Sequence, residues 1–174
     1  MSRSRKEKER LQRVRQFKAG VEPYSLEKLT AFHEAGHVVF AARHDHPVEL
    51  VTIDRQKVLE LTGRDCPGYT KYVEWGLRNA DFVLGLTAVG LTSEAMLVSG
   101  GVINPHEEDL QLLKDMVEKM TVHGLSPESE MLRVRVQTQD FVARNSAAIT
   151  AVATALMDKK TLTGDEIDQV LKSS

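Results

Sequence analysis

The run His33-Glu34-Ala35-Gly36-His37 sets two histidines four residues apart with a glutamate beside the first. At 3.6 residues per turn, positions i and i+4 lie one above the other on one helix face. Both imidazoles can then direct a ring nitrogen to one ion about 2 Å away. Glu34 stands next to that face, placed to take a proton from water whose pKa a bound zinc lowers to about 7. Zinc suits the pair because imidazole is a borderline ligand and hydrolysis needs no redox change. HExxH fixes only three residues and recurs by chance in helices, so its surroundings decide its weight. Here Phe32, Val38, Val39 and Phe40 make an apolar setting in which two histidines and a glutamate are costly to bury without partners. Gly36 costs about 1 kcal/mol of helix stability relative to Ala, which points to a segment packed very close to it.

A catalytic zinc takes a third protein ligand and keeps an open position. The candidates are the acidic cluster Glu107-Glu108-Asp109 and His106. In a helix starting near Pro105, Asp109 is in phase with Leu113 and close to the phase of Leu110 and Val117, so Asp109 is the expected ligand and the two glutamates are expected to face water or cap the helix. Glu94 interrupts the apolar run Leu91 to Leu97 and is expected to be at least partly buried, where it needs a donor or a cation. It can accept from the N–H of a zinc-bound histidine and fix its tautomer, or serve as the third ligand itself. His44, His46 and His123 are expected to be solvated at loop or helix ends.

The elements that must position these residues follow from punctuation and periodicity. Ser25 offers an N-cap, and apolar residues at Leu26, Leu29, Phe32, Gly36, Val39 and Phe40 predict a helix to about Arg43. Val48 to Asp54 and Gly68 to Trp75 predict two strands separated by a Gly-Pro-containing loop, the single β region expected. Further helices are predicted from Asn79 to Val98, from near Pro105 to about Val122, from Gln137 to Lys159, and from Gly164 to Leu171 with Thr163 at its start. The expected fold class is mainly α (α+β), a helical domain with a small β-sheet or hairpin after the HExxH helix.

Composition narrows the setting. At 174 residues the chain has room for one domain with a real core. Its single cysteine, Cys66, excludes a disulfide framework, a Cys-rich zinc site and a CxxC redox pair. The longest uncharged apolar stretch, Phe82 to Ser93, is well short of the roughly 20 residues that span a bilayer, and the N-terminus is charged, so no membrane span and a cytoplasmic location are expected. Residues 1 to 20 carry eight basic and two acidic side chains, a net of +6, whereas the remainder carries 15 basic and 23 acidic, a net of −8. Residues 1–24 therefore read as a basic arm and linker, and 25–174 as the catalytic body. No aromatic interleaves the arm's charges before Phe17, so nucleic-acid binding by base stacking is not expected.

Beyond the motif, ordered segments resemble the zinc peptidase domain of the membrane-anchored AAA proteases of FtsH type. The resemblance rests on His33-Glu34-Ala35-Gly36-His37 followed by Val38-Val39, on Pro47-Val48-Glu49-Leu50-Val51-Thr52-Ile53, on Gly90-Leu91-Thr92-Ser93-Glu94-Ala95 and on Glu108-Asp109-Leu110. It continues through Gly124-Leu125-Ser126 and the run Ala155 to Gly164, and covers about residues 26 to 171. It implies a mainly helical zinc peptidase in which His33, His37 and Asp109 bind Zn2+, Glu34 is the general base and Glu94 is the acidic residue beside the site. The sequence departs from the family where Asp54-Arg55-Gln56-Lys57 replaces Pro-Arg-Gly, and where Glu108 replaces the Asn before the aspartate. No GxxxxGK[ST] occurs, so a stand-alone, ATP-independent peptidase domain is expected, with any unfolding of substrates supplied by a separate ATPase or partner protein.

The expected activity is thus zinc-dependent endopeptidase hydrolysis of a polypeptide substrate, with an exposed strand near Val48 to Asp54 aligning the extended chain. The family's rings of six make an oligomer a further expectation. The alternative is a catalytically silent, zinc-stabilised adaptor or binding domain with the same fold, although a purely structural zinc has no use for Glu34.

Overall fold

The computed structural model describes residues 25–73, 80–97, 107–119 and 124–174, with the backbone alone at 107–109. The expected arm and linker, residues 1–24, lie outside the described residues, as do His106 and His123. Among the described residues there are seven helices and a three-stranded sheet. In chain order the elements are α1 (Leu26–Arg43), β1 (Val48–Thr52), α2 (Arg55–Thr62), β2 (Tyr69–Tyr72), α3 (Ala80–Ala95), α4 (Glu107–Lys119), α5 (Pro127–Arg144), α6 (Ser146–Lys159), β3 (Thr161–Thr163) and α7 (Gly164–Lys172). The mainly helical class with a small sheet is the observed one. None of these helices is long and apolar enough to cross a membrane.

α1 begins where Ser25 accepts a hydrogen bond from the Lys28 N–H at 3.2 Å, the N-cap expected of that serine. It is buried nearly all round, from Leu29 through Gly36 and again from Val38 to Ala41, as befits the central helix of a domain. α3 and α6 flank it, and the sheet lies against it. The main core gathers Phe32, Val38, Val39 and Phe40 of α1 with Phe82, Leu86 and Val89 of α3, Ile149, Val152 and Leu156 of α6, Val51 of β1 and Leu162 of β3. A second cluster, Leu84, Ala88, Leu113, Val117 and Val134, fastens α4 and α5 to the outer side of α3.

The expectation that an exposed strand near Val48 to Asp54 aligns a substrate is overturned. β1 is the middle strand, antiparallel to β2 on one side and to β3 on the other. With neighbours on both edges its backbone groups are engaged, and Val51 and Thr52 are buried. Its simple alternation fails too, because the register shifts between Val48 and Leu50, a bulge that re-aims the side chains beyond it.

The sheet also has a strand that sequence reading did not expect. Thr161-Leu162-Thr163 is too short to show a period, and it becomes a strand by pairing with Leu50, Val51 and Thr52. Lys160 makes the turn into it in the left-handed region, at φ 65°, and its carbonyl accepts from the Ile53 N–H at 2.8 Å. Thr163 then caps α7 in a reciprocal pair with Glu166. The Lys159 ammonium, and the Thr163 N–H after it, hold the Glu166 carboxyl down to about 2.

Three further expectations are corrected. The loop between the first two strands contains α2, capped by the Asp54 side chain on the Gln56 and Lys57 N–H groups and closed by Gly63 at φ 69°. The helix expected from Gln137 to Lys159 is two helices, broken at Asn145, whose side-chain amide donates to the Phe141 carbonyl while its Oδ1 accepts from Arg43. His46 is buried at 1% exposure, stacked on Tyr72, because β2 closes over the end of α1; His44 stays exposed, although its ring stacks on Phe40.

The close approach that Gly36 pointed to is real: a Cβ there would lie 2.2 Å from Ser93 Oγ and 3.0 Å from the Val89 carbonyl oxygen. Gly36→Ala should therefore destabilise the chain by about 1–3 kcal/mol despite alanine's helix preference of about 1 kcal/mol. Thermal unfolding checks this, with part of the loss recovered in Gly36→Ala/Ser93→Gly; an unchanged or raised melting temperature in the single variant would contradict the contact.

Candidate metal centre and base

His33 and His37 occupy successive turns of α1 on the side that faces α3. Their Nε2 atoms point toward each other, 2.9 Å apart, with the rings edge to face at 71°. Two nitrogens at 2.0–2.1 Å from a tetrahedral ion are separated by roughly 3.3 Å. The observed pair needs to open by only about 0.4 Å, within the reach of a small χ adjustment.

Gly90 of α3 stands against this point of convergence. A Cβ on Gly90 would sit 2.6 Å from His33 Nε2 and 2.7 Å from His37 Nε2, closer than a carbon can approach them. The glycine therefore lets the α3 backbone pack directly over the two imidazoles. Two ring nitrogens that meet at one point are a donor set that fits a borderline ion such as Zn2+.

Glu94 lies one turn further along α3, at 2% exposure, and its Oε1 accepts from His33 Nδ1 at 2.5 Å. A proton held on Nδ1 leaves Nε2 with its lone pair, the tautomer a metal ligand must have. Nδ1 and Nε2 are on opposite sides of the ring, so Glu94 faces away from the convergence of nitrogens. This geometry favours the orienting role of Glu94 over the ligand role. His33 is 2% exposed, whereas His37 is only partly buried, so the pair is shut on one side and reachable from the other.

Asp109, the expected third ligand, lies in the first turn of α4, but its side chain, like those of Glu107 and Glu108, lies outside the described ones. Among the described side chains no group of three His, Cys, Asp or Glu converges on one point.

Neither a protein-family model nor a curated protein matches the chain.

Glu34 is 5% exposed, and its Oε2 accepts from the Thr70 hydroxyl of β2 at 2.6 Å. Its Oε1 and Cγ press on Gly68, where a Cβ would lie 2.6 and 2.8 Å away. The carboxyl tolerates this burial because it receives this hydrogen bond. Thr70 and Gly68 were not expected as parts of this site, nor was Ser93 as the neighbour of Gly36. The alternation of a strand does place 68 and 70 on one face, but nothing in the sequence says that this face meets Glu34. Cys66 sits two residues before Gly68 and is partly buried.

Gly90→Ala tests this packing directly. The added methyl overlaps the ring of His33, which is 2% exposed and held by Glu94, so the metal-free fold should lose about 1–3 kcal/mol. Zinc affinity, measured by competition with a chromophoric chelator, should fall at least about tenfold, the size of effect expected when ligand orientation is lost. Undiminished affinity would place the ion, if one binds, elsewhere.

Proposed function

We propose that the chain is a zinc-dependent endopeptidase, ATP-independent by itself, acting on extended polypeptide segments. The observation that carries this reading is the convergence of His33 and His37 Nε2 under Gly90, with a buried carboxylate, Glu34, adjoining the pair on the same helix. A structural metal site has no use for such a carboxylate, and the adaptor reading leaves it unexplained.

Bound by His33, His37 and Asp109, zinc would supply Lewis-acid polarisation of the scissile carbonyl and acidify the attacking water. Glu34 would accept a proton from the attacking water and return it to the leaving amine, a role worth roughly 10²–10⁴ in rate. Glu94 holds the His33 proton on Nδ1 so that Nε2 remains a donor. Substrate alignment falls to β2 instead of β1. β2 pairs with β1 on one side, and among the described residues no strand pairs with its other side. It also runs past Glu34 through Gly68 and Thr70. A peptide added to that edge gains main-chain hydrogen bonds independent of its sequence, which suits a protease of broad specificity.

Peptide hydrolysis by purified, zinc-loaded protein tests the proposal. Glu34→Gln should retain zinc while cleavage falls by about 10²–10⁴, and Asp109→Ala should lower zinc content. Zinc-loaded wild type that cleaves no unstructured protein, or a Glu34→Gln variant as active as wild type, would overturn it. Full zinc occupancy in Asp109→Ala would move the third ligand to another residue.

A further inference from the structure

The face that β2 turns toward α1 is built from every second residue. Gly68, just before the strand, lies against Oε1 and Cγ of Glu34 and against the Thr30 methyl. Thr70 donates its hydroxyl proton to Oε2 of the same carboxylate at 2.6 Å and is 9% exposed. Tyr72 stacks on His46 at a ring separation of 5.1 Å. The strand thus runs along the helix and touches both oxygens of the proposed base, one by a hydrogen bond and one by close backbone packing.

A glutamate has three side-chain torsions, and the last, a carboxylate rotation, is broad and weakly restrained. Proton transfer needs the accepting oxygen within about 2.6–3.2 Å of the proton's donor, and an error of about 1 Å can cost on the order of 10²-fold in rate. Burial alone does not supply that accuracy. A directional bond to one oxygen, with a wall at the other, does.

We infer that Thr70 is the positioning residue of this site, its hydroxyl, with Gly68 as the opposing wall, fixing the orientation of the Glu34 carboxylate. The inference rests on the peptidase reading for its catalytic meaning, while the bond itself is independent of it. It has a consequence for substrate. The strand that holds the base from one face is the strand whose outer edge is proposed to take the peptide, so peptide seating and base orientation belong to one rigid element. Both are referenced to the same backbone at residues 68 to 72.

The test uses the full chain. In the zinc-loaded enzyme, Thr70→Val keeps the shape and removes the donor, and kcat on a peptide substrate should fall at least about tenfold with KM within about twofold. Thr70→Ser restores the donor and should recover kcat to within about threefold of wild type, which a merely structural role would not require. Serine and valine variants that lose activity equally, or a loss confined to KM, would overturn the role.

A second measurement needs neither metal nor activity. In the metal-free chain, Thr70→Val should lower the melting temperature by about 5 °C when Glu34 is present, and by less than half of that in the Glu34→Leu background. Equal shifts in the two backgrounds would show that Thr70 and Glu34 are not coupled and would overturn the inference. If wild type cleaves no peptide, the peptidase reading fails, and this cycle alone decides whether Thr70 holds Glu34.

Discussion

Two glycines let α1 and α3 approach until backbone and side chain nearly touch. At Gly36 the neighbour is Ser93, whose own hydroxyl is turned back onto the Val89 carbonyl at 2.8 Å. At Gly90, one turn earlier on α3, the neighbours are the two imidazoles. Such proximity is expensive in helix propensity, since each glycine weakens its helix by about 1 kcal/mol relative to Ala, and it is repaid by what the contact places together. With the helices this close, Glu94 reaches His33 Nδ1, and the Nε2 atoms lie directly under the α3 backbone at Gly90. A larger residue at either glycine would push α3 away from α1 and loosen the bond between Glu94 and His33.

The remaining architecture reads as support for that contact. α6 backs the other side of α1 through Ile149, Val152 and Leu156, and the second core cluster holds α4 and α5 on the outer side of α3. The Arg133 guanidinium of α5 bonds the buried Glu130 on its own helix and reaches Asp81 in the first turn of α3 at 2.6 Å. Thr92 of α3 donates to Thr138 of α5 at 3.0 Å. These buried polar groups come with partners, as the desolvation penalty requires. Those at the site differ in what they bond: Glu94 bonds a histidine whose other nitrogen meets His37, and Glu34 bonds a threonine from the sheet.

Much of this was legible one helix at a time. Ser25 and Thr163 announced their helices through capping chemistry, the i, i+4 histidines fixed a common face, and Gly36 and Glu94 were anomalous enough in apolar helices to demand a neighbour. The missed elements fall into two kinds. α2 had local signals, the Asp54 cap and Gly63 at the end, which the Gly-Pro content of the following residues obscured. β3 had none, because three residues carry no period, whereas the break at Asn145 had a local signal, an amide able to bond back to the Phe141 carbonyl, hidden within a continuous apolar pattern. The role expected of β1 failed because alternation reveals that a strand has two faces but is silent about which strands flank its edges.

The sequence by itself determined the chemistry on offer: two imidazoles and a carboxylate on one helix, a second carboxylate in another, and no thiol set to compete with them. These are properties of residue type and of the 3.6 period, and they hold wherever the helix lies. Tertiary structure decided which atoms meet. It set Glu94 on Nδ1 of His33, placed Gly90 over both Nε2 atoms, brought β2 onto Glu34 through Thr70 and Gly68, and made β1 the interior strand. Each of these is a contact between segments far apart in the chain, set by how helices and sheet pack around a shared core, and no local pattern encodes the distance at which that packing comes to rest.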